Sequence, residues 1–292
     1  MKKFAAVLFF VLLFQVCAGR ATAQSVHLAN SINADQLLPK PSECDTLEYA
    51  RLECIYEQTD VDTVLSQSRD EFFILSIGDV YSLYKGYSSF RLDSACKAMN
   101  WNITYAQGDS LSDIYLTSGQ LPEVLYDMRI DVFTVNEYNL FDFYQYEDST
   151  ARFVWTLLPD TTEVCGYVCR KAEATFRGIR WTAWYAPAIP ISSGPWKLNG
   201  LPGLVLWAYD DRGTHDMRLN AIRKAKQNGI YMEKEGRFRM KRERVNALLE
   251  RSRTAPSTYK SLSGYTVTHT DAKGNPLPTP AKRRFHVPYE LE

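Results

Sequence analysis

The chain has 292 residues, of which 45% are hydrophobic and 13% aromatic, and its 34 basic side chains balance 34 acidic ones. This length can bury a sizeable core as one large domain, and it also permits two. Beyond the N-terminus, no stretch reaches the roughly 18 apolar residues that a membrane span requires. The sequence therefore excludes a helical membrane protein, and it contains no internal repeat or low-complexity run.

The N-terminus has the three parts of a secretory signal peptide. Lys2 and Lys3 carry positive charge, residues 4–14 are almost wholly apolar, and a run of small residues ends at Ala23. A lipoprotein anchor at Cys17 is a weaker alternative, because the small residue wanted before it is missing. We expect cleavage near Ala23 and a mature protein that is periplasmic, extracellular or associated with the outer membrane.

In chain order, the first mature elements are mostly strands. Residues 46–59 mix polar and apolar positions, which predicts a strand with one solvent-exposed face. Residues 71–77 and 80–84 flank a Gly-Asp turn and predict a hairpin. Residues 89–100 have apolar positions at helical spacing, with Ser at the start as a cap, and predict a helix. The aromatic run 121–146 predicts further strands.

The next part of the chain is rich in aromatic and β-branched residues. Residues 152–158 predict a strand that turns at a Pro-Asp pair into one long strand over residues 167–185. That strand ends at the prolines and glycines of residues 187–203. Residues 204–209 then predict a buried strand, and residues 214–225 its antiparallel partner.

The C-terminal part is basic. Residues 233–253 predict a helix with a narrow apolar stripe, and the tail 258–292 is predicted to be irregular with a short strand near 265–268. The stripe consists of Phe238, Val245, Leu248 and Leu249. Residues 24–211 hold 13 basic and 26 acidic groups, whereas residues 212–292 hold 18 and 8. The basic segment therefore either lies on the acidic body or faces an external anionic partner.

These elements predict a mainly β (α+β) protein. We expect a long antiparallel curved sheet or a two-layer β structure, with one early helix and one basic C-terminal helix. The predicted organisation is a signal peptide (1–23), a leader (24–44), a β-rich core domain (45–226), and a basic helix with an irregular C-terminal tail (227–292).

Five cysteines remain after cleavage. They are Cys44, Cys54, Cys96, Cys165 and Cys169. An odd number in an oxidising compartment leaves at least one thiol free or paired between chains, and the connectivity stays open. Four strand residues span roughly 13 Å, so Cys165 and Cys169 can pair only if Gly166 interrupts the strand. No histidine stands at zinc-ligand spacing to a cysteine, so neither a metal nor another cofactor is predicted.

A short signature lies between the two β-rich runs. Residues 200–205 read Gly200, Leu201, Pro202, Gly203, Leu204 and Val205. This hexapeptide resembles the motif that names the GLPGLI family of secreted Gram-negative bacterial proteins, with Val205 in place of the final isoleucine. Similar residues flank it upstream, including Gly194-Pro195-Trp196-Lys197. The resemblance implies a secreted, β-rich architecture and transfers no catalytic residues, because the family has no established activity.

The sequence contains no recognisable catalytic set. It has no Gly-x-Ser-x-Gly elbow, no His-Glu-x-x-His and no Gly-rich phosphate loop. The nearest candidate for an acid-base cluster is Asp210-Asp211 beside His215, and Asp is common at turns, which favours a structural role. We therefore predict a protein that is not an enzyme.

Aromatic and cationic residues are concentrated in one segment and form the candidate ligand site. The predicted residues are Arg177, Arg180, Trp181, Trp184, Tyr185, Trp196 and Lys197. Strand alternation places Arg180 and Trp184 on one face, and Trp181 and Tyr185 on the other with Arg177. Either these aromatics fill the core, with the cations paired to the acidic body, or they line a concave face that holds an apolar or extended ligand.

These observations predict a secreted, non-catalytic cell-envelope binding or assembly protein. Its partner would be an envelope protein, a peptide, or an apolar or anionic ligand, and nucleic acid is not expected. The alternatives are a purely structural envelope protein or a hydrolase with an unrecognised site.

Overall fold

The computed structural model describes residues 35–37, 46–115, 121–139, 142–149, 152–226, 228–232, 236–255, 261–262, 269–270, 276–277 and 285–291. The predicted signal peptide, most of the leader, Cys44 and the predicted strand near 265–268 lie outside these residues. No helix within the described ranges is both long and apolar enough to cross a membrane.

The described residues form sixteen strands and three helices. The strands are β1 Glu48–Tyr49, β2 Leu52–Asp62, β3 Gln67–Ile77, β4 Tyr81–Gly86, β5 Glu123–Asp127, β6 Val132–Asn139, β7 Asp142–Asp148, β8 Thr156–Val164, β9 Tyr167–Phe176, β10 Ile179–Ala186, β11 Leu204–Asp210, β12 His215–Lys224, β13 Gly229–Ile230, β14 Phe238–Arg239, β15 His269–Thr270 and β16 Pro276–Leu277. The helices are α1 Tyr87–Ala98, α2 Tyr105–Tyr115 and α3 Arg242–Thr254.

Twelve of the described strands form one large sheet, in the order β14-β7-β6-β5-β4-β3-β2-β12-β11-β10-β9-β8. Strands β2 to β7 form one antiparallel meander and β8 to β12 a second, and the pairing of β12 with β2 joins them. The short β14 adds to β7 in parallel. The mainly β prediction with a large sheet and few helices is confirmed.

The sheet curls until distant strands meet. Asp148 at the end of β7 is hydrogen-bonded to Arg177, which lies between β9 and β10. In a flat sheet with strands ~4.8 Å apart, these positions would be roughly 40 Å from each other. The sheet nevertheless stays open, with β14 and β8 at its two edges.

The two faces of the sheet are covered differently. The inner face carries the main core, which includes Tyr56, Phe73 and Trp181 and is covered by the β10–β11 connection and by Val245 and Leu249 of α3. The outer face carries two smaller clusters, one at α1 and α2 and one at β1 and β13. The stripe of α3 therefore docks on the body, as one of the two interpretations of the basic segment requires.

The predicted long strand over residues 167–185 is wrong, because the chain reverses at Arg177-Gly178. Both residues have positive φ angles (45° and 76°), as the two-residue turns that suit twisted hairpins require. The predicted turn at Pro159-Asp160 is also wrong. Strand β8 continues through those residues, and the chain turns at Cys165-Gly166, again with two positive φ angles (51° and 78°).

The early helix is confirmed as α1, although it begins at Tyr87 with Gly86 at the N-cap, so Ser89 is not the cap. Helix α2 was not predicted, since its mixed sequence has weak periodicity. The basic helix is shorter than expected, because Phe238 belongs to β14 and α3 begins at Arg242. Residues 285–291 are not an exposed tail, because they pack against the inner face of the sheet.

The signature turn is buried and tightly packed. Leu201 and Leu204 have exposed fractions of 1% and 0%. A β-carbon on Gly200, which has a φ of +87°, would make only ordinary contacts with Trp155 and Phe153, at 3.7 Å or more. A β-carbon on Gly203 would overlap the carbonyl group of Ala186 and approach Pro187 Cα to 3.1 Å. Glycine is therefore required at Gly203 by the close approach of two backbone segments.

We expect Gly203→Ala to lower the free energy of unfolding by roughly 2–4 kcal/mol, because the methyl group must push the backbone at Ala186 aside. Gly213→Ala is the matched control, since Gly213 also has positive φ but has nothing within 4 Å of the added atom. The control should lose only roughly 1 kcal/mol. Urea unfolding measures both, and equal losses would contradict the packing argument.

Candidate functional site

The structure divides the seven predicted ligand residues between the two faces of the sheet. Trp181 and Tyr185 face inward from β10 and are almost fully buried, as are Trp196 and Lys197 from the β10–β11 connection. Arg177, in the β9–β10 turn, also reaches the inner site. This grouping was predicted for Arg177, Trp181 and Tyr185.

Arg180 and Trp184 lie on the outer face. Arg180 is exposed and pairs with Glu173, while Trp184 stacks on Trp207 with ring centres 6.1 Å apart. The indole nitrogen of Trp207 donates to Asp216 at 2.9 Å. A shallow depression of about 300 Å³ lies beside Trp207. These residues are therefore separate from the inner site.

The β10–β11 connection directs Trp196 and Lys197 inward. Val205 N donates to Ser193 O at 3.0 Å and Leu198 N to Pro195 O at 3.1 Å, so the segment folds back on the start of β11. Trp196 has a φ of 53°. The signature turn is anchored by Gly200 N, which donates to the Ser192 hydroxyl at 3.0 Å.

The inner site contains a buried ionic cluster of five side chains: Lys197, Arg177, Arg242, Asp148 and Glu290. The Lys197 ammonium lies 2.9 Å from Asp148 and 2.6 Å from Glu290. Arg177 donates two hydrogen bonds to Asp148, at 2.7 and 2.8 Å, and one to Glu290 at 2.8 Å. Arg242 donates to Glu290 at 2.7 Å. Three cations thus converge on two carboxylates.

The cluster strongly favours the charged state of Asp148. Burial alone would raise the pKa of this carboxyl, but the hydrogen bonds from Arg177 and the charge of Lys197 outweigh burial and hold it far below its usual value. Burial raises the pKa of neighbouring Glu137, with Arg253 and Lys197 offsetting it only in part. Asp148 and Glu290 are the two carboxylates in direct contact with both Lys197 and Arg177.

Four rings stack beside the ionic cluster, in the order Trp181, His215, Tyr289 and Trp196. We refer to them as the aromatic stack. The centre of the Tyr289 ring lies 4.2 Å from that of His215 and 5.1 Å from that of Trp196, with interplanar angles of 11° and 21°. The Trp181 ring packs against both His215 and Trp196. Its centre lies 5.8 Å from that of His215 and 5.7 Å from that of Trp196. Tyr289 thus sits in a slot between two flat rings.

Polar groups fix the orientation of His215. Its Nδ1 lies 2.7 Å from an Asp60 carboxylate oxygen and its Nε2 lies 3.2 Å from the carbonyl oxygen of Pro288. The Gln58 amide donates to both Asp60 oxygens and to the Tyr289 hydroxyl. Both ring nitrogens of His215 are therefore engaged, Nδ1 by Asp60 and Nε2 by the segment that carries Pro288.

Asp210 has the structural role that its turn position suggests. Its carboxylate accepts hydrogen bonds from the backbone N–H groups of Thr214 and His215, at 2.7 and 3.0 Å. Arg212 donates to the same carboxylate at 3.3 Å. Within the described residues, no group of three or more His, Cys, Asp or Glu side chains is arranged to hold a metal ion.

The cysteines in the described residues are all free thiols. Cys165 lies in the exposed turn that Gly166 makes, and it is not paired with Cys169. Burial raises the pKa of Cys54 to about 12 and those of Cys96 and Cys169 to about 11. These three buried thiols are therefore poor nucleophiles.

Four residues of the inner site were not predicted from the sequence: Asp148, Arg242, Tyr289 and Glu290. Each comes from a segment whose local pattern indicates only a strand end, a basic helix or an irregular tail. The available signal was the Tyr-Glu pair after Pro288, which combines a large ring and a carboxylate in a tail otherwise rich in basic residues.

Comparison with known protein families gives a match over one short stretch of the chain. A family model described as "Protein of unknown function (Porph_ging)" matches residues 173–207, which include β10 and the signature turn. The match supports similarity to a family of unknown function over this short stretch, and it does not confirm the GLPGLI name. No curated protein matches the chain.

Two solved structures of PNGF-II, in space groups P21 and C2, are similar to this chain. Their TM-scores are 0.46 and 0.45, at 13% and 14% sequence identity. Each comparison covers 70% of this chain, but only 34% and 33% of the respective PNGF-II chain. The chain thus spans about a third of the length of these proteins.

The ionic cluster makes stability depend on pH in the acid range. The pKa of Asp148 is lower in the folded state than its unfolded value of roughly 3.9, so its stabilisation is complete above pH 4 or so and declines as pH falls below that. We expect Asp148→Asn to lower the free energy of unfolding by roughly 3 kcal/mol at pH 7 and by clearly less at pH 3.

Asp79→Asn is the control, because Asp79 forms only an exposed ion pair with Arg51. It should change stability by less than about 1 kcal/mol at either pH. Urea unfolding at both pH values measures the effect. A loss for Asp148→Asn that is the same at pH 3 and pH 7 would show that the carboxylate charge is not what stabilises the site.

Proposed function

We propose that the protein is an exported, non-catalytic binding or assembly protein of the cell envelope, with its ligand site on the inner face of the curled sheet. The observation that carries this proposal is the pairing of the ionic cluster with the aromatic stack, which together hold a peptide segment without regular secondary structure, residues 285–291. Flat rings and fixed charges around such a segment are the usual features of a peptide-binding site.

The chemistry of the site supports binding over catalysis. The nitrogens of His215 are engaged, Asp210 caps a turn, and the buried thiols have raised pKa values. The charged groups of the ionic cluster are paired with one another at hydrogen-bond distance. Such groups hold a ligand in place and do not supply an activated nucleophile.

Export is the first testable part of the proposal. We expect the protein recovered from the cell envelope to begin at Gln24, because Ala23 ends the small-residue cleavage site. N-terminal sequencing of the envelope and cytoplasmic fractions measures this. An intact N-terminus in all fractions would contradict export, and a lipid on Cys17 would make the protein a lipoprotein.

Ligand binding is the second testable part. Protein isolated from the envelope under native conditions should show an additional bound mass in native mass spectrometry, and the same protein refolded from denaturant should not. The refolded sample is the control for covalent modification. Export without any bound mass, in several independent preparations, would favour the purely structural alternative.

A further inference from the structure

Residues 285–291 are held as a bound peptide is held. They form no strand, and their backbone touches the body at separate points. His286 N donates to Asp62 at 2.9 Å, the Pro288 carbonyl faces His215, and Leu291 N donates to Arg177 O at 3.0 Å. The segment therefore depends on side-chain recognition more than on pairing with the sheet.

Two adjacent side chains make the principal contacts. Tyr289 fills the slot of the aromatic stack, and the Glu290 carboxylate, with only 5% of its side chain exposed, completes the ionic cluster. A third ring, Phe285, lies 4.2 Å from the guanidinium of Arg69. Pro288 fixes φ just before this pair, which lowers the entropy cost of binding. The site thus holds an aromatic residue followed directly by an acidic one.

The charge of the body shows why this site needs an acidic ligand. Without Glu290, Lys197 and Arg177 would each lose one of the two carboxylates that they contact, while Arg242 would still pair with Glu243 at 3.1 Å. An excess of buried positive charge is costly, so the site favours any carboxylate that enters beside the aromatic slot.

We propose that the inner site binds an external peptide in which an aromatic residue directly precedes an acidic residue, and that residues 285–291 are its built-in competitor. This inference rests on the proposed binding function and names its ligand class. The tail holds the site until a peptide of the same chemistry displaces it.

The test uses the full chain with a protease site introduced at residues 271–275 and cut after folding. The fragment carrying residues 285–291 should stay with the body during gel filtration. A fluorescent peptide with the sequence of residues 284–292 should then replace it, measured as a rise in anisotropy. Peptides carrying Tyr289→Ala or Glu290→Gln should bind about 10-fold more weakly or worse, because each loses one of the two contacts.

A peptide carrying Leu291→Ala is the matched control, because this side chain is 54% exposed, and it should bind as the unchanged peptide does. A folded, cut protein that excludes the labelled peptide at large excess overturns the proposal, as does equal binding of all four peptides. If cutting unfolds the protein, the uncut Glu290→Gln chain replaces it. That chain should take up the labelled peptide more tightly than the uncut wild type, and equal uptake overturns the proposal.

The proposed ligand class and the proposed binding function are tested by separate outcomes. Loss of peptide selectivity, with a bound mass still present on envelope-isolated protein, removes the aromatic-acidic ligand and leaves the binding function in place. Absence of the bound mass removes the function itself.

Discussion

The buried ionic cluster is the constraint on which the rest of the structure depends. Asp148 lies near one edge of the sheet, Arg177 near the other, and Lys197 in the β10–β11 connection. None of these charges can be buried without its partners, because isolated ions in a protein interior are strongly destabilising. The sheet must therefore curl until they meet, and the tail must deliver Glu290 to complete the set.

This constraint explains how the inner face is filled. A second sheet would normally cover such a surface with interdigitating apolar side chains. Here three separate segments do so: the β10–β11 connection, α3 and residues 285–291. Replacing a whole set of buried ions by apolar residues is often neutral or favourable for stability. The main contribution of the cluster is therefore that it selects one arrangement of the covering segments. It fixes which segment lies where, while Trp181, Tyr56 and Phe73 supply the apolar burial.

The direction in which strand side chains point was easier to predict from the sequence than the contacts between distant segments. Alternation placed Trp181 and Tyr185 inward and Arg180 and Trp184 outward, because the strand period is short and visible. The turn at Arg177-Gly178 was missed, since one glycine within a β-rich run does not show where the chain reverses. Tyr289 and Glu290 were missed because their hydrogen-bond partners lie 48 to 231 residues away. No local periodicity encodes such a contact.

The exposed edge of the sheet has a consequence for association. Strand β8 ends a sheet of twelve strands, and a row of unpaired backbone groups there would invite the edge of another molecule. It carries Pro159, which has no N–H to donate, together with Asp160 and Glu163, and its register with β9 shifts between Leu157 and Thr161. A strand so interrupted and negatively charged is a poor template, so this edge resists pairing with the sheet of another molecule.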